Sequence, residues 1–178
     1  LLTQHQALLS WPIELAREVD DAVLTRVHGH FHLAQTLISG DDVYLTGFDG
    51  DPAVPPAERR ALGHPLRDVA GLLRSIDYAV QTVRQGGEDK APGSAARMRR
   101  EQLLDSFQQV MADAFLRAYF DARGTVAGSR PDPHDPALLQ MFLLDRAAQE
   151  IEQEALGRPT WLEVPVRGLA AMLRKQNG

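Results

Sequence analysis

Three alternating histidines and two later carboxylates form the part of this sequence best suited to chemistry. His28, His30 and His32 alternate along the chain, and Asp49 and Asp51 follow in a second segment. An imidazole titrates near neutral pH, so it can accept a proton from a substrate hydroxyl or bind a metal ion. On a strand the three rings would project from one face, where they could hold zinc or a similar metal. The pattern therefore predicts either acid–base chemistry or metal binding.

Two short strands and a long loop are predicted to position these residues. Apolar runs indicate strands over residues 24–28 and 42–48, separated by a polar connection. Residues 47–65 contain several prolines, which favour an irregular loop. A long loop inside a compact domain is more often functional than idle. We therefore expect a small β-hairpin insert that carries the candidate site.

The remainder of the sequence has the apolar periodicity of helices. Apolar residues at helical spacing predict helices over residues 65–85, 95–122, 136–156 and 166–173, and another over residues 2–23. The predicted fold class is mainly α (α+β). Residues 1–178 are expected to form a single domain, with the catalytic or metal loop at 24–52 and the helical part at 66–175.

Composition and charge exclude several classes of function. The net charge of −5 argues against binding to nucleic acid or to an anionic membrane surface. No apolar run approaches the roughly 20 residues that a membrane-spanning helix needs. The chain has no cysteine, which excludes disulfides and Cys-based zinc sites. A cytoplasmic location fits these properties.

Four segments of the chain together resemble one enzyme family. They are VHGHFHLAQTL (27–37), LTGFDGDP (45–52), HPLRDVAGLLRSIDYA (64–79) and GRPTWLEVPVRGLAAML (157–173). Taken in order, they resemble the C-terminal lobe of bacterial maltokinases, which are aminoglycoside-phosphotransferase-like kinases partnered or fused with trehalose synthase. The resemblance implies the helical C-terminal lobe of a protein-kinase-like fold. It also implies that the N-terminal lobe, which covers the nucleotide, is absent from these 178 residues.

The resemblance also implies a reaction and its cofactors, namely the ATP-dependent phosphorylation of maltose to maltose 1-phosphate with Mg²⁺. His30 stands where the family has its catalytic aspartate, and Gly47 stands where the family has its metal-binding aspartate. Gln35 matches an amide that contacts magnesium, and Asp49 is a weak substitute ligand. Because phosphoryl transfer depends on charge neutralisation by the metal, we expect ATP and Mg²⁺ not to bind productively. The expected function is a catalytically impaired pseudokinase lobe associated with trehalose synthase.

Further residues receive roles from the resemblance. His28, His32, Arg67 and Asp68 are expected to brace the catalytic loop, although Asp68 also suits the first turn of a helix as a simple favourable charge. A maltose-like sugar would contact a wall built by Arg146, Glu150, Glu154, Arg158, Trp161 and Arg167. The alternative for this wall is that Trp161 belongs to the core and the charged residues form a solvated helix face.

Two other functions stay open at this point. One is an active sugar kinase that uses His30 and Asp49 and obtains its N-terminal lobe separately. The other is a metal-binding module built on His28, His30 and His32. The expected partner is trehalose synthase or the missing N-terminal lobe, and neither nucleic acid nor a membrane is expected.

Overall fold

The computed structural model describes residues 24–86, 94–125 and 135–176, together with Ile13. Within these ranges the protein is mainly helical and carries one small two-stranded sheet. The predicted fold class is therefore confirmed at the level of a mainly α protein with a β-hairpin. The helix predicted over residues 2–23 lies, apart from Ile13, outside the described residues.

The hairpin is built from strands β1 (Thr36–Ser39) and β2 (Asp42–Leu45), which pair antiparallel. Gly40 opens the two-residue connection with a φ of +62°, a conformation that suits glycine and closes tight hairpins. A 3-10 turn at Leu33–Gln35 leads into β1. The sheet therefore lies directly between the two segments that carry the candidate chemistry.

The prediction of a strand over residues 24–28 is wrong. In this stretch Thr25 forms only an isolated bridge, in which its N–H and carbonyl pair with Gly63 at 3.0 and 2.9 Å. The partner of β2 is β1, which lies in the segment predicted to be a polar connection. Local pairing across a two-residue turn closes the shortest possible loop, so it prevails over pairing with a more distant apolar run.

Five helices follow the hairpin in chain order. They are α1 (Pro56–Arg59), α2 (Leu66–Gln85), α3 (Ala95–Thr125), α4 (Asp135–Gly157) and α5 (Glu163–Gln176). A 3-10 turn at Pro159–Trp161 connects α4 to α5. The bounds of α2, α3 and α4 lie close to the predictions, whereas α5 begins earlier because its first turn accommodates Pro165. No helix in the described ranges has the length and apolar character needed to cross a lipid bilayer.

The chain divides into two compact units. One comprises Leu1–Arg74 and Asp132–Gly178, and the other comprises Ser75–Pro131. In the first unit, α4 packs against α5 around a cluster of buried apolar side chains. The members of that group are Ala137, Leu144 and Leu173, with Met141, Leu169 and Met172 packed against them. This unit holds every residue of the candidate site described below.

The second unit joins the end of α2 to α3 through polar side chains. Arg84 donates from Nε to Glu101 at 2.9 Å and also pairs with Asp105, while Gln108 contacts Asp77. None of the described residues of α3 is buried. Charged contacts, more than apolar burial, therefore hold α3 beside α2 in this unit.

Candidate active-site cleft

The segment after residue 27 is held in place by one carboxylate. Asp68, in the first turn of α2, accepts the main-chain N–H of His28 at 2.6 Å and that of Gly29 at 2.9 Å. Hydrogen bonds to an ionised acceptor are among the stronger ones in proteins. These are the contacts that the bracing role predicted for Asp68 requires. Arg67, the preceding residue, lines the cleft next to this loop.

His28 is a buried part of the loop scaffold. Its Nδ1 accepts the main-chain N–H of His30 at 3.3 Å, so the neutral ring carries its proton on Nε2. Nε2 then donates to the carbonyl oxygen of Thr46 at 2.6 Å. The rings of Phe31 and Phe48 lie 5.5 and 4.9 Å from the imidazole centroid. Both nitrogens of His28 are thus engaged by neighbouring groups of the protein.

The three histidines do not converge on a metal. Among residues 24–86, 94–125 and 135–174, no group of three or more His, Cys, Asp or Glu side chains is placed to hold a metal ion. The physical reason is the path of the backbone, because residues 26–32 are not a strand and Gly29 has a φ of +79°. Alternating residues share a face only where the backbone is extended. The loop turns at Gly29, so the three histidines are not aligned on one face of a strand.

His30 faces the cleft and has a carboxylate beside it. Its Nδ1 lies 3.4 Å from Oδ2 of Asp51, and the His32 ring contacts it edge-on with the centroids 4.6 Å apart. Burial lowers the pKa of His32 below its ordinary value, and the positive charges of His30 and Arg146 lower it further, while Asp51 opposes the shift. His32 is therefore favoured in its neutral form. Asp51 is the nearest anionic partner of His30 in this geometry.

The side-chain amide of Gln35 packs directly against the Cα of Gly47. Gly47 has a φ of +76°, and a Cβ placed on it would lie 2.3 Å from Oε1 of Gln35. The same Oε1 accepts a hydrogen bond from the Thr46 hydroxyl at 3.2 Å. The amide therefore fills the position that the side chain of any other residue at 47 would take. Gly47 is therefore needed for the packing of Gln35, in addition to standing where the resembled family has a carboxylate.

The segment that follows Gly47 presents its carboxylates differently. Asp49 is exposed, and its carbonyl accepts a hydrogen bond from Nη1 of Arg59 at 3.3 Å. Oδ1 of Asp51 accepts the main-chain N–H of Ala53 at 2.9 Å, which ties that carboxylate to its own turn. The two aspartates are thus unlike: one is open to solvent, and the other is anchored beside His30.

A cleft with a cavity volume of about 50 Å³ lies between the histidine loop, the start of α2 and α4. Gly71 permits this close packing, since a Cβ at that position would lie 2.6 Å from the carbonyl oxygen of Phe31. The residues that line the cleft are Gly29, His30, Phe31, Arg67, Asp68, Gly71, Phe142, Asp145, Arg146 and Gln149. The cleft combines an imidazole, two guanidinium groups and carboxylates, a set suited to a polar, hydroxylated ligand.

Two lining residues of α4 were not singled out from the sequence. Phe142 and Asp145 lie on the same helix face as Arg146 and Gln149, because residues three, four and seven apart are neighbours on a helix. That spacing was visible in the sequence. Nothing in it showed that this face, and not the next one, borders the histidine loop.

Most of the sugar-binding residues predicted from the resemblance lie elsewhere. Glu150 is buried, where its Oε2 accepts hydrogen bonds from Nε and Nη2 of Arg74 at 2.9 and 2.7 Å. Glu154 is also buried and pairs with Arg158 at 2.5 Å. The Arg158 guanidinium lies 5.4 Å from the ring centroid of Trp161. These side chains contact one another and do not line the cleft.

Arg167 occupies an exposed position. Its Nη2 lies 2.6 Å from Oε1 of Glu163, one turn earlier on α5, and more than half of each side chain is accessible to solvent. An exposed pair of this kind contributes little to stability. The structure therefore brings His30, Arg67 and Asp68 together with Arg146 of the predicted sugar-binding set. It does not place Arg167 with them.

Comparison with known proteins gives a consistent picture. No protein-family model matches the chain. A glucosamine kinase of Mycolicibacterium smegmatis is 33% identical over 147 residues, which is 82% of this chain and 34% of that protein. A glucosamine kinase of Streptacidiphilus jiangxiensis is 31% identical over 103 residues, which is 56% of this chain and 24% of that protein. The chain is similar to glucosamine kinases. It spans about a third or less of the length of these relatives.

Solved structures agree on the fold. A glucosamine kinase in one crystal form matches with a TM-score of 0.72 and 25% identity over 95% of this chain and 39% of that one. A glucosamine kinase in complex with glucosamine, ADP and inorganic phosphate matches with a TM-score of 0.74 and 23% identity over 96% of this chain and 40% of that one. The chain therefore has the fold of a part of these glucosamine kinases.

These findings correct the identification drawn from sequence motifs. The identification of the chain as a maltokinase is wrong, because both curated relatives are glucosamine kinases. The expected association with trehalose synthase and the expected maltose-like ligand depended on that identification, and they are withdrawn with it. The expectation of a catalytically impaired maltokinase lobe is also wrong. The alternative of an active sugar kinase fits the relatives better.

Proposed function

We propose that this chain is the largely helical portion of an ATP-dependent kinase that phosphorylates an amino sugar of the glucosamine type. The observation that carries the proposal is the 33% identity to a glucosamine kinase over 82% of the chain. The cleft supports it, because its lining suits a hydroxylated and charged ligand. The finer description, the C-terminal lobe of an aminoglycoside-phosphotransferase-like kinase, is part of the same proposal.

In this proposal His30 accepts the proton of the attacking sugar hydroxyl. It lines the cleft, and its loop is fixed by the two hydrogen bonds to Asp68. General-base assistance of this kind contributes about 10²- to 10⁴-fold to a rate. As the hydroxyl oxygen bonds to the γ-phosphorus of ATP, its proton moves to the imidazole and ADP leaves. An imidazole thereby takes the role that a carboxylate plays in many kinases.

Asp145 is the residue we propose for distinguishing an amino sugar from a neutral one. It is exposed on the cleft face of α4, where Gln149 donates to its Oδ2 at 3.0 Å. A carboxylate binds an ammonium group more strongly than a hydroxyl, because charge-assisted hydrogen bonds are the stronger ones. The buried Glu150 supports this face of α4, because its Oε1 lies 3.6 Å from Nε of Arg146, which lines the cleft.

The nucleotide side of the proposal involves Gln35 and Asp49, which we expect to face the phosphates of ATP. The described residues do not fit a Mg²⁺ site by themselves. The amide oxygen of Gln35 is engaged by Thr46 and packed on Gly47, and Mg²⁺ requires several hard oxygen ligands in near-octahedral geometry. No step of the reaction is therefore assigned to a metal.

The test is a kinase assay on the full polypeptide that contains this chain. ADP release would be followed with glucosamine, glucose and maltose as acceptors, and the product would be identified by mass spectrometry. We expect a glucosamine phosphate as the main product. Sugar-independent ADP release, or phosphorylation confined to maltose, would contradict the proposal.

A pair of variants tests the amino-sugar preference. Asp145→Asn is expected to raise KM for glucosamine about tenfold, equivalent to about 1.4 kcal/mol, and to change KM for glucose much less. Glu152→Gln, which removes an exposed carboxylate from the same helix, is the matched control and should change neither value. Equal effects of Asp145→Asn on both sugars would remove Asp145 from the proposal.

A further inference from the structure

His30 and Asp51 form a side-chain pair that joins the two loops of the site. The Nδ1 atom of His30 lies 3.4 Å from Oδ2 of Asp51, and the two side chains are only 24% and 17% exposed. Nδ1 is shielded from solvent and makes no hydrogen bond to a described residue, so the 3.4 Å approach of Asp51 is an ion-pair distance and not yet a formed hydrogen bond. Water therefore does not compete for this nitrogen. Catalytic hydrogen bonds are often long before substrate binds and tighten in the complex.

The carboxylate of Asp51 is fixed from its far side. Its Oδ1 accepts the main-chain N–H of Ala53 at 2.9 Å, which leaves Oδ2 directed toward the imidazole. The two loops are in contact at Gly29 and Gly50, since a Cβ on Gly29 would lie at van der Waals distance, 3.8 Å, from the Cα of Gly50. The position of Asp51 relative to His30 is thus set by backbone contacts on both sides.

A carboxylate beside one nitrogen of a neutral imidazole determines which nitrogen carries the proton. A carboxylate can only accept, so a hydrogen bond between this pair takes its proton from Nδ1 of His30 and leaves the lone pair of Nε2 free. The ring of His32 contacts His30 edge-on, which restricts rotation of the imidazole. Since His30 lines the cleft, Nε2 is the nitrogen available to a ligand there.

We propose that Asp51 is a positioning residue that holds His30 in the Nδ1–H tautomer, so that the pair replaces the single carboxylate of other kinases as proton acceptor. This inference rests on the proposed function. In the step concerned, the sugar hydroxyl gives its proton to Nε2 while its oxygen bonds to the γ-phosphorus of ATP. The bond from that phosphorus to the bridging oxygen breaks, and ADP leaves. Asp51 takes no proton and stabilises the imidazolium that forms.

The tautomer is measured directly by ¹⁵N NMR of the histidine side chains in the full polypeptide, with His30→Gln used to assign the signals. Wild-type protein at a pH where His30 is neutral is expected to show protonated Nδ1 and unprotonated Nε2. In Asp51→Asn the amide can donate to Nδ1, and the tautomer is expected to reverse. Observation of the Nε2–H tautomer in the wild type would overturn the inference without any reference to activity.

Kinetics give the second measurement. Asp51→Asn is expected to lower kcat at least tenfold with KM for the sugar changed less than about twofold, since binding does not use Nε2 as a base. Asp51→Glu, which keeps the carboxylate, should recover part of kcat. Asp41→Asn removes an exposed carboxylate of the hairpin turn and is the matched control, with kcat unchanged.

The outcomes separate this inference from the proposed function. An active sugar kinase in which Asp51→Asn changes neither the tautomer nor kcat would overturn the positioning role and leave the proposed function intact. A polypeptide without sugar kinase activity would refute the proposed function, and the wild-type tautomer would still decide whether the pair exists. If Asp51→Asn fails to fold, Asp51→Glu and the wild-type spectrum decide the question.

Discussion

Replacing Gly47 by alanine tests whether this glycine is a fitted part of the site. Two separate costs are expected. Gly47 has a φ of +76°, a conformation that costs an L-residue roughly 1–2 kcal/mol. The new Cβ would also lie 2.3 Å from Oε1 of Gln35, so the amide must move away.

The second cost follows from what the displaced amide loses. Moving the end of Gln35 breaks its 3.2 Å hydrogen bond from the Thr46 hydroxyl, and a typical bond of this kind contributes about 0.5–1.5 kcal/mol. The obstructing atoms are at the far end of a flexible side chain, so no larger penalty is expected. In sum, Gly47→Ala should lower the free energy of unfolding by about 2–3 kcal/mol.

Gly40 supplies a matched control for the backbone part. It has a φ of +62°, and a Cβ there would meet no atom within 4 Å. Gly40→Ala should therefore show the conformational cost alone, about 1–2 kcal/mol. Combining Gly47→Ala with Gln35→Ala removes the obstructing amide, so the double variant should lose about 1 kcal/mol less than the sum of the single ones.

The assay is urea unfolding of the full polypeptide and its variants, followed by fluorescence and circular dichroism, with midpoints compared at equal slope. Identical destabilisation by Gly47→Ala and Gly40→Ala, with no coupling to Gln35→Ala, would refute the packing argument. The same geometry predicts that Gly47→Asp, which reinstates the carboxylate of the resembled motif, destabilises the site and does not improve the kinase.

Three further predictions concern other parts of the first unit. Arg74→Ala should cost up to about 3–5 kcal/mol in unfolding experiments, because it removes the closer of two guanidinium partners from the buried carboxylate of Glu150 and leaves only Arg146 at 3.6 Å. Arg167→Ala on the surface should cost less than about 1 kcal/mol, and equal costs would contradict the burial of the first pair. Gly71→Ala should displace the loop carbonyl that it faces and reduce both the melting temperature and the sugar kinase rate; an unchanged rate would show that the loop is tolerant. The pKa of His32 in the folded protein lies below the ordinary 6.5, so the unfolded chain binds more protons, and stability should fall as the pH drops from about 6.5 through the lowered folded pKa. His32→Gln should flatten that part of the profile of stability against pH. An unchanged slope would contradict the lowered pKa.

Much of the helical architecture was predictable because it depends on local pattern. Leu66, Val69, Leu73 and Ile76 recur at helical spacing, and all four are buried along α2. The bracing contact of Asp68 was anticipated only as one of two readings. A first-turn acid is favourable on any helix, and its hydrogen bonds to the loop depend on tertiary structure that no local pattern contains.

The predicted sugar wall shows where sequence reasoning failed. Glu150 looked like a surface carboxylate available to a ligand. Its partner Arg74 lies 76 residues earlier, and nothing in the spacing joins them. Gly168 makes room for this ion pair, because a Cβ there would overlap the Arg74 guanidinium, and the sequence does not show that role either. Room for a buried ion pair is visible only once the helices are packed.

The family was misidentified for a related reason. The segments that resembled maltokinases, such as residues 64–79, contain core positions of α2 and the loop-bracing Asp68. Residues of this kind specify a fold shared by kinases with different acceptors. In the function proposed above, the acceptor is selected by side chains that line the cleft, among them Asp145 and Gln149 on α4.

The two hydrogen bonds from His28 and Gly29 to Asp68 have a consequence for how such a site changes over generations. The loop takes its shape from main-chain amides and from a helix outside it, and the side chain of residue 30 has no part in that anchoring. A lineage can therefore exchange an aspartate for a histidine at this point without losing the loop. The chemical group at residue 30 is replaceable because the hydrogen bonds that shape the loop do not involve its side chain.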